Sequence, residues 1–280
     1  MCVNSTRCNA PIRPLQQYRP GGNAGLNQTN EFPARELPAG NAQVTPPGSS
    51  DGGGLSSPDF GLSPSLLGGS PINVVEIDDF ISEKDQPNQE GQFFNHGDTV
   101  ANILQSGGTD KQLGQFVQIH KMNIDHGEAP EQRSGAISQA LDEVIQVAQD
   151  DPSAVDVVNI SQQDSIASED ATAVREKIIH LQNMGIPVVV AADNYGPQTP
   201  NQIAPRGAFV AASADQTGKL LDDSGPGNIS AEARSTSFAA PQLAPLLGFY
   251  KSQGLSVPHI KQLMAQDDAF PGTDIPDVYT

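Results

Sequence analysis

Apolar and polar positions in this 280-residue chain change their spacing repeatedly after residue 70, and the changes predict alternating strands and helices. INVVEI, from Ile72, is a β-branched run of the kind that forms a strand buried on both faces. HGDTVANILQSG predicts a helix ending near Gly107, and QFVQIHKMNI a second strand. SGAISQALDEVIQVAQDD carries Ile137, Leu141, Val144, Ile145 and Ala148 on one helical stripe. VDVVNIS reads as a third strand. EDATAVREKIIHLQNMG reads as a helix stopped by Gly185, which suits a left-handed cap. IPVVVAA and GAFVAAS are the fourth and fifth strands. SFAAPQLAPLLGFYKSQG is mostly apolar and predicts a buried helix, with PHIKQLMAQ as a short closing one. Strands alternating with helices imply βαβ units. The fold class is therefore α/β, three-layered, with a mostly parallel sheet covered by helices on both faces.

The pattern is missing from residues 1–70. There 9 Pro and 11 Gly interrupt the chain, and runs such as TPPGSSDGGGLSSP have no hydrophobic period. Such composition buries too little apolar surface to offset the entropy of ordering, so 1–70 reads as a disordered leader and 71–280 as the folded domain. Charges cancel in the leader, so the folded part carries the whole net charge of −18. That balance argues against nucleic-acid binding, which needs cationic patches. An acidic protein would instead attract cationic substrates. Both cysteines, Cys2 and Cys8, lie in the leader, so the domain has neither a disulfide framework nor a cysteine zinc site. No apolar stretch reaches the ~20 residues of a membrane helix. The first residues also lack the apolar core of a secretory signal.

Four polar residues fall where an α/β enzyme places chemistry. Asp78 follows the first strand, with Asp79 beside it as an equal candidate by composition. His96 opens a helix, Asn194 follows the fourth strand, and Ser237 begins the apolar helix. Ligand crevices in parallel sheets lie beyond the carboxyl ends of the strands, and helix N-termini offer unpaired N–H groups. Each residue also has a structural reading on its own: a loop carboxylate, a helix-start imidazole, a turn asparagine, a serine N-cap.

Together the segments resemble the subtilase family of serine peptidases. VVEIDD is similar to the strand ending in that family's catalytic Asp. HGDTVANIL is similar to its His motif, VDVVNIS to the strand bordering its substrate cleft, VVVAADNYG to its oxyanion segment, and STSFAAPQLA to its nucleophile motif. The order Asp, His, Asn, Ser is also the family's. The resemblance spans roughly residues 72–270. It implies a subtilisin-like fold and a serine endopeptidase with Asp78, His96 and Ser237 as catalytic triad and Asn194 as oxyanion donor. It implies that Arg133, Ser134 and Gly135 on one side, and Ser161, Gln162 and Gln163 on the other, pair with the peptide as edge segments. It implies no cofactor. No acidic cluster has calcium-ligand spacing, and no metal is expected.

The chain departs from the family's pattern at Phe80, Asp193 and Ser235, where glycine is usual, and at Thr99, where a second His is common. Lost glycines predict either an altered backbone or a narrower cleft. Gln162 and Gln163 stand in place of a small or apolar pair at the primary specificity pocket, which predicts a polar or restricted preference. The expected partner is a protein or peptide substrate, with neither nucleic acid nor membrane. A protease of narrow specificity is one reading. A pseudo-protease that keeps the fold as a binding module is the other. The leader does not resemble a compact inhibitory pro-domain. It suggests export without a signal peptide, as for bacterial effectors delivered into host cells with a secretion chaperone or apparatus, or else action in the cytoplasm.

Overall fold

The computed structural model describes residues 71–80, 96–124, 130–162 and 169–266. The leader with Cys2 and Cys8, Gln163, and the last 14 residues lie outside the described residues.

Six strands form one parallel sheet: β1 (Ile72–Asp78), β2 (Val117–Asn123), β3 (Val157–Ile160), β4 (Val188–Ala191), β5 (Phe209–Ala214) and β6 (Ile229–Glu232). Their order is β2-β1-β3-β4-β5-β6. Among the described residues five α-helices pack around the sheet: α1 (His96–Gln105), α2 (Pro130–Asp150), α3 (Glu169–Asn183), α4 (Thr236–Ser252) and α5 (Val257–Gln266).

Strand alternation sorts the side chains into two cores. Ile72 and Val74 of β1 join Val100 and Leu104 of α1, Leu243 and Leu247 of α4, and Ile260 of α5 on one face. Val75 and Ile77 join Ile137, Leu141 and Val144 of α2 and Val174 and Ile178 of α3 on the other. Both faces are covered, which is why the strands read as unbroken apolar runs and why the architecture is the expected α/β sandwich. α4 lies deepest. Its long apolar stretch, Ala239 to Phe249 broken only by Gln242, is explained by burial against the sheet on one side and α1 on the other. The Thr109 N–H donates to the Gln242 carbonyl at 2.8 Å and ties the turn after α1 to it.

The expected helix stop at Gly185 is present, with φ of +83°. β6 was absent from the sequence reading. Its four residues, ISAE, are too short and too mixed to show a period. No described helix is long and apolar enough to cross a membrane.

From β1 the chain crosses to β2 on one side, then returns past β1 to β3 on the other. The strand order therefore reverses between β1 and β3. In such sheets the crevice for a ligand opens at the carboxyl ends of the strands at this switch point. Register places Ile77 beside Ile160, so Asp78 and the residues following β3 meet there.

Candidate active site

Asp78 is the last residue of β1 and is fully buried. A buried carboxylate needs compensating donors, and three converge on Oδ1. The Asp79 N–H lies at 2.7 Å, His96 Nδ1 at 2.8 Å and Gln162 Nε2 at 2.5 Å. Of the two adjacent aspartates it is thus Asp78 that meets His96. The carboxylate only accepts, so in the neutral imidazole Nδ1 carries the proton and Nε2 is the basic nitrogen.

His96 reaches Asp78 because α1 starts against the end of β1. The Gly97 N–H donates to the Asp79 carbonyl at 2.8 Å. A Cβ at Gly97 would lie 2.5 Å from that carbonyl oxygen and 2.7 Å from the Phe80 ring. Only glycine permits this approach. Phe80, which stands where a glycine was expected, fills the space against Gly97. It also carries the Lys121 ammonium 4.5 Å above its ring.

The imidazole of His96 stacks on Phe238, with centroids 5.5 Å apart and planes 22° from parallel. Phe238 directly follows Ser237, so the stack sets His96 beside the N-terminus of α4. Ser237 is the second residue of that helix, half-buried, with its Oγ 3.1 Å from the Oγ of Ser235. The helix start contributes unpaired N–H groups and a positive partial charge at this point.

Asn194 follows β4. Its Oδ1 accepts the Thr236 N–H at 3.0 Å. Thr236 is the first residue of α4, so Asn194 caps one of the helix's open donors. The Thr236 hydroxyl sits between Asn194 Oδ1, at 3.0 Å, and the Ala192 carbonyl, at 2.5 Å. Because a backbone N–H requires an acceptor, the Asn194 amide is oriented with its oxygen toward α4. Its Nδ2 is the donor end on the other side.

The glycine replacements cause no backbone strain. Among the described residues no side-chain-bearing position has positive φ. Ser235 is extended, with φ of −151°. Asp193 is buried and accepts the Tyr195 N–H at 3.0 Å, forming a short turn that presents Asn194.

One expectation about substrate contacts is corrected. Arg133, Ser134 and Gly135 lie within the first turns of α2, and Ser134 is fully buried. Helical backbone spends its donors and acceptors internally, so this segment is not an extended edge for a peptide. Gln162 makes a different contact from the expected one. It is buried and turned onto Asp78. Ser161 is buried with its Oγ accepting from Asn159 Nδ2 at 2.9 Å. The sequence reading also missed Asn201. Its Nδ2 donates to the carbonyls of Gln162, at 3.0 Å, and Ala191, at 2.7 Å, and so clamps the ends of β3 and β4 together. Nothing in the surrounding TPNQIAP marks it out.

A cleft of about 510 Å³ opens beside this constellation. Thr99 and Ile103 of α1 and Phe238 and Gln242 of α4 form one wall; Asp215, Leu221, Glu232 and Arg234 line the other. Bonds from Thr217 hold the carboxyl of Asp215 below its ordinary pKa.

No family model and no curated protein matches this sequence. Solved structures do resemble its backbone. A cold-adapted subtilisin-like serine proteinase is 15% identical with a TM-score of 0.54, covering 74% of this chain and 85% of its own. A lanthipeptide protease is 14% identical with a TM-score of 0.50, covering 74% and 84%. The patellamide maturation protease PatA is 18% identical with a TM-score of 0.50, covering 71% and 90%. Identity this low speaks to the path of the backbone, and on that path the chain has a subtilisin-like fold.

Proposed function

We propose that this protein is a serine endopeptidase of narrow specificity that works through an acyl-enzyme. The observation that carries the reading is the 2.8 Å bond between Asp78 Oδ1 and His96 Nδ1, made where α1 brings the imidazole beside the helix that begins Thr236-Ser237. The protease character of the structural neighbours supports it.

On this reading the chemistry is assigned as follows. Ser237 Oγ is a weak nucleophile until a base accepts its proton. His96 Nε2 takes that proton as Oγ attacks the scissile carbonyl carbon. It returns the proton to the leaving amine when the C–N bond breaks. Asp78 holds the tautomer and stabilises the imidazolium. Asn194 Nδ2 and the Ser237 N–H donate to the oxyanion. Water then attacks the ester by the same route and releases the acid. Narrow specificity is supported by the adjoining cleft. Large and charged side chains, Phe238, Asp215, Glu232 and Arg234, line it, and they would restrict the side chains that a peptide entering it could carry.

The test is labelling with a fluorophosphonate probe. Wild type labels and Ser237→Ala does not. A folded wild type that fails to label overturns the proposal and leaves a binding module on a protease fold.

A further inference from the structure

Gln162 follows β3 by two residues and is 6% exposed. Its main chain is held from behind, because its carbonyl accepts from Asn201 Nδ2, which also grips the end of β4. Asn201 is itself fixed, buried at 1% exposure with Oδ1 accepting the Ile203 N–H at 3.2 Å. In front, the side chain meets Asp78 Oδ1 at 2.5 Å. A carboxylate offers no hydrogen, so the contacting atom is the amide Nε2. A short donor to a charged acceptor is the strong kind of hydrogen bond.

The three donors on Asp78 Oδ1 come from three directions. Asp79 belongs to the same chain segment, His96 comes from α1, and Gln162 comes across from β3. Asp78 Oδ2 is buried with no partner among the described residues. Among the described residues the carboxylate is therefore held through Oδ1. The Asp79 N–H turns with its own strand end, and His96 is the group to be oriented. Gln162 is the donor anchored independently of both.

We propose that Gln162 is a positioning residue that fixes the Asp78 carboxylate, and through it the direction of the Asp78–His96 bond, rather than a substrate contact. The inference rests on the reading of Asp78, His96 and Ser237 as a triad. The two β-strand ends at the topological switch thus do different work: β1 carries the carboxylate and β3 carries its support. An apolar residue of the same length would fill the volume without supplying the donor. That separates the proposed role from simple packing.

Two variants test it: Gln162→Met, similar in length but without a donor, and Gln162→Glu, which sets a second acceptor against Oδ1. Three readouts are taken: kcat and KM separately on a peptide substrate, the pH profile of kcat/KM, and the low-field proton resonance of His96 Nδ1 in the resting protein. Gln162→Met lowers kcat by up to about 10²-fold, the scale of a misplaced catalytic group. It leaves KM unchanged and shifts or broadens the His96 resonance. Gln162→Glu sets two buried carboxyls at hydrogen-bond distance, so one of them holds a proton and the profile gains an ionisation that wild type lacks. A changed KM with wild-type kcat and an unmoved resonance overturns the proposal in favour of a substrate contact. Wild-type values throughout overturn it in favour of a filler. The resonance reads the Gln162–Asp78–His96 link without turnover. A wild type that neither cleaves nor labels would therefore defeat the functional reading and still leave this one decided by the spectrum.

Discussion

Glu76 lies two positions before Asp78 on the same face of β1 and is fully buried. Neither of its carboxyl oxygens has a partner among the described residues. Burial pushes its pKa well above the ordinary range, the negative charge of Asp78 pushes it further, and Lys121 opposes. A raised folded-state value means that the unfolded chain releases this proton first as pH climbs. Stability from this group is complete below the ordinary glutamate range and is lost as pH rises from there through the folded-state value. Glu76→Gln removes that dependence. The variant's Tm should gain on wild type steadily from acid to neutral pH. Parallel Tm curves would contradict this. Asn194 gives a second residue-scale prediction. Asn194→Ala should cost about 10²–10³ in kcat with little change in KM, a magnitude that itself comes from a subtilisin. Loss of KM alone would instead mark Asn194 as a substrate clamp. Asp78, His96, Asn194 and Ser237 were all legible as candidates, because each falls at a strand end or a helix start. The role of Gln162 was not legible. Its partner is 84 residues away in sequence, and no local pattern encodes such a contact.

At the scale of elements, α1 shows propensity and tertiary contact in opposition. Alanine is favoured over glycine inside a helix by about 1 kcal/mol. At position 97 the new Cβ would strike the Asp79 carbonyl and the Phe80 ring. Gly97→Ala should therefore destabilise the protein by about 1–3 kcal/mol, the usual cost of overpacking. It should also weaken fluorophosphonate labelling more than the loss of stability explains. A rise in Tm would show that α1 shifts without consequence. The helices α2, α3 and α4 were legible because their stripes, or the lack of a stripe in α4, follow from burial on one face or on all. β6 was illegible for the converse reason. It is a four-residue strand defined by pairing with β5, and its sequence carries no period of its own.

The whole molecule adds charge and topology. The net charge is −18, and Asp215 and Glu232 stand against Arg234 around the adjoining cleft, so the proposed peptidase should be steered toward cationic peptides. The kcat/KM for a Lys/Arg-rich peptide should fall by about 10-fold or more from low to high salt. For a neutral peptide of the same length it should stay flat. Equal salt dependence for the two would rule out steering. Topology places the site. Strand order reverses between β1 and β3, and Asp78 and Gln162 meet at the carboxyl ends of those two strands.

Sequence alone determined the layered α/β architecture, because burial on both sheet faces imposes apolar runs and helical stripes that can be read locally. It also marked His96, Asn194, Ser237 and the Asp78-Asp79 pair as candidates, since strand ends and helix starts are local features. Tertiary structure decided which of two adjacent aspartates meets His96, that Asn194 turns its oxygen to Thr236, and that Gln162 meets the Asp78 carboxylate. Those choices are set by the parallel register of β1 with β3 and by the approach of α1 to the end of β1 at Gly97. Both join residues far apart in the chain, and such a meeting leaves no periodic trace in the sequence.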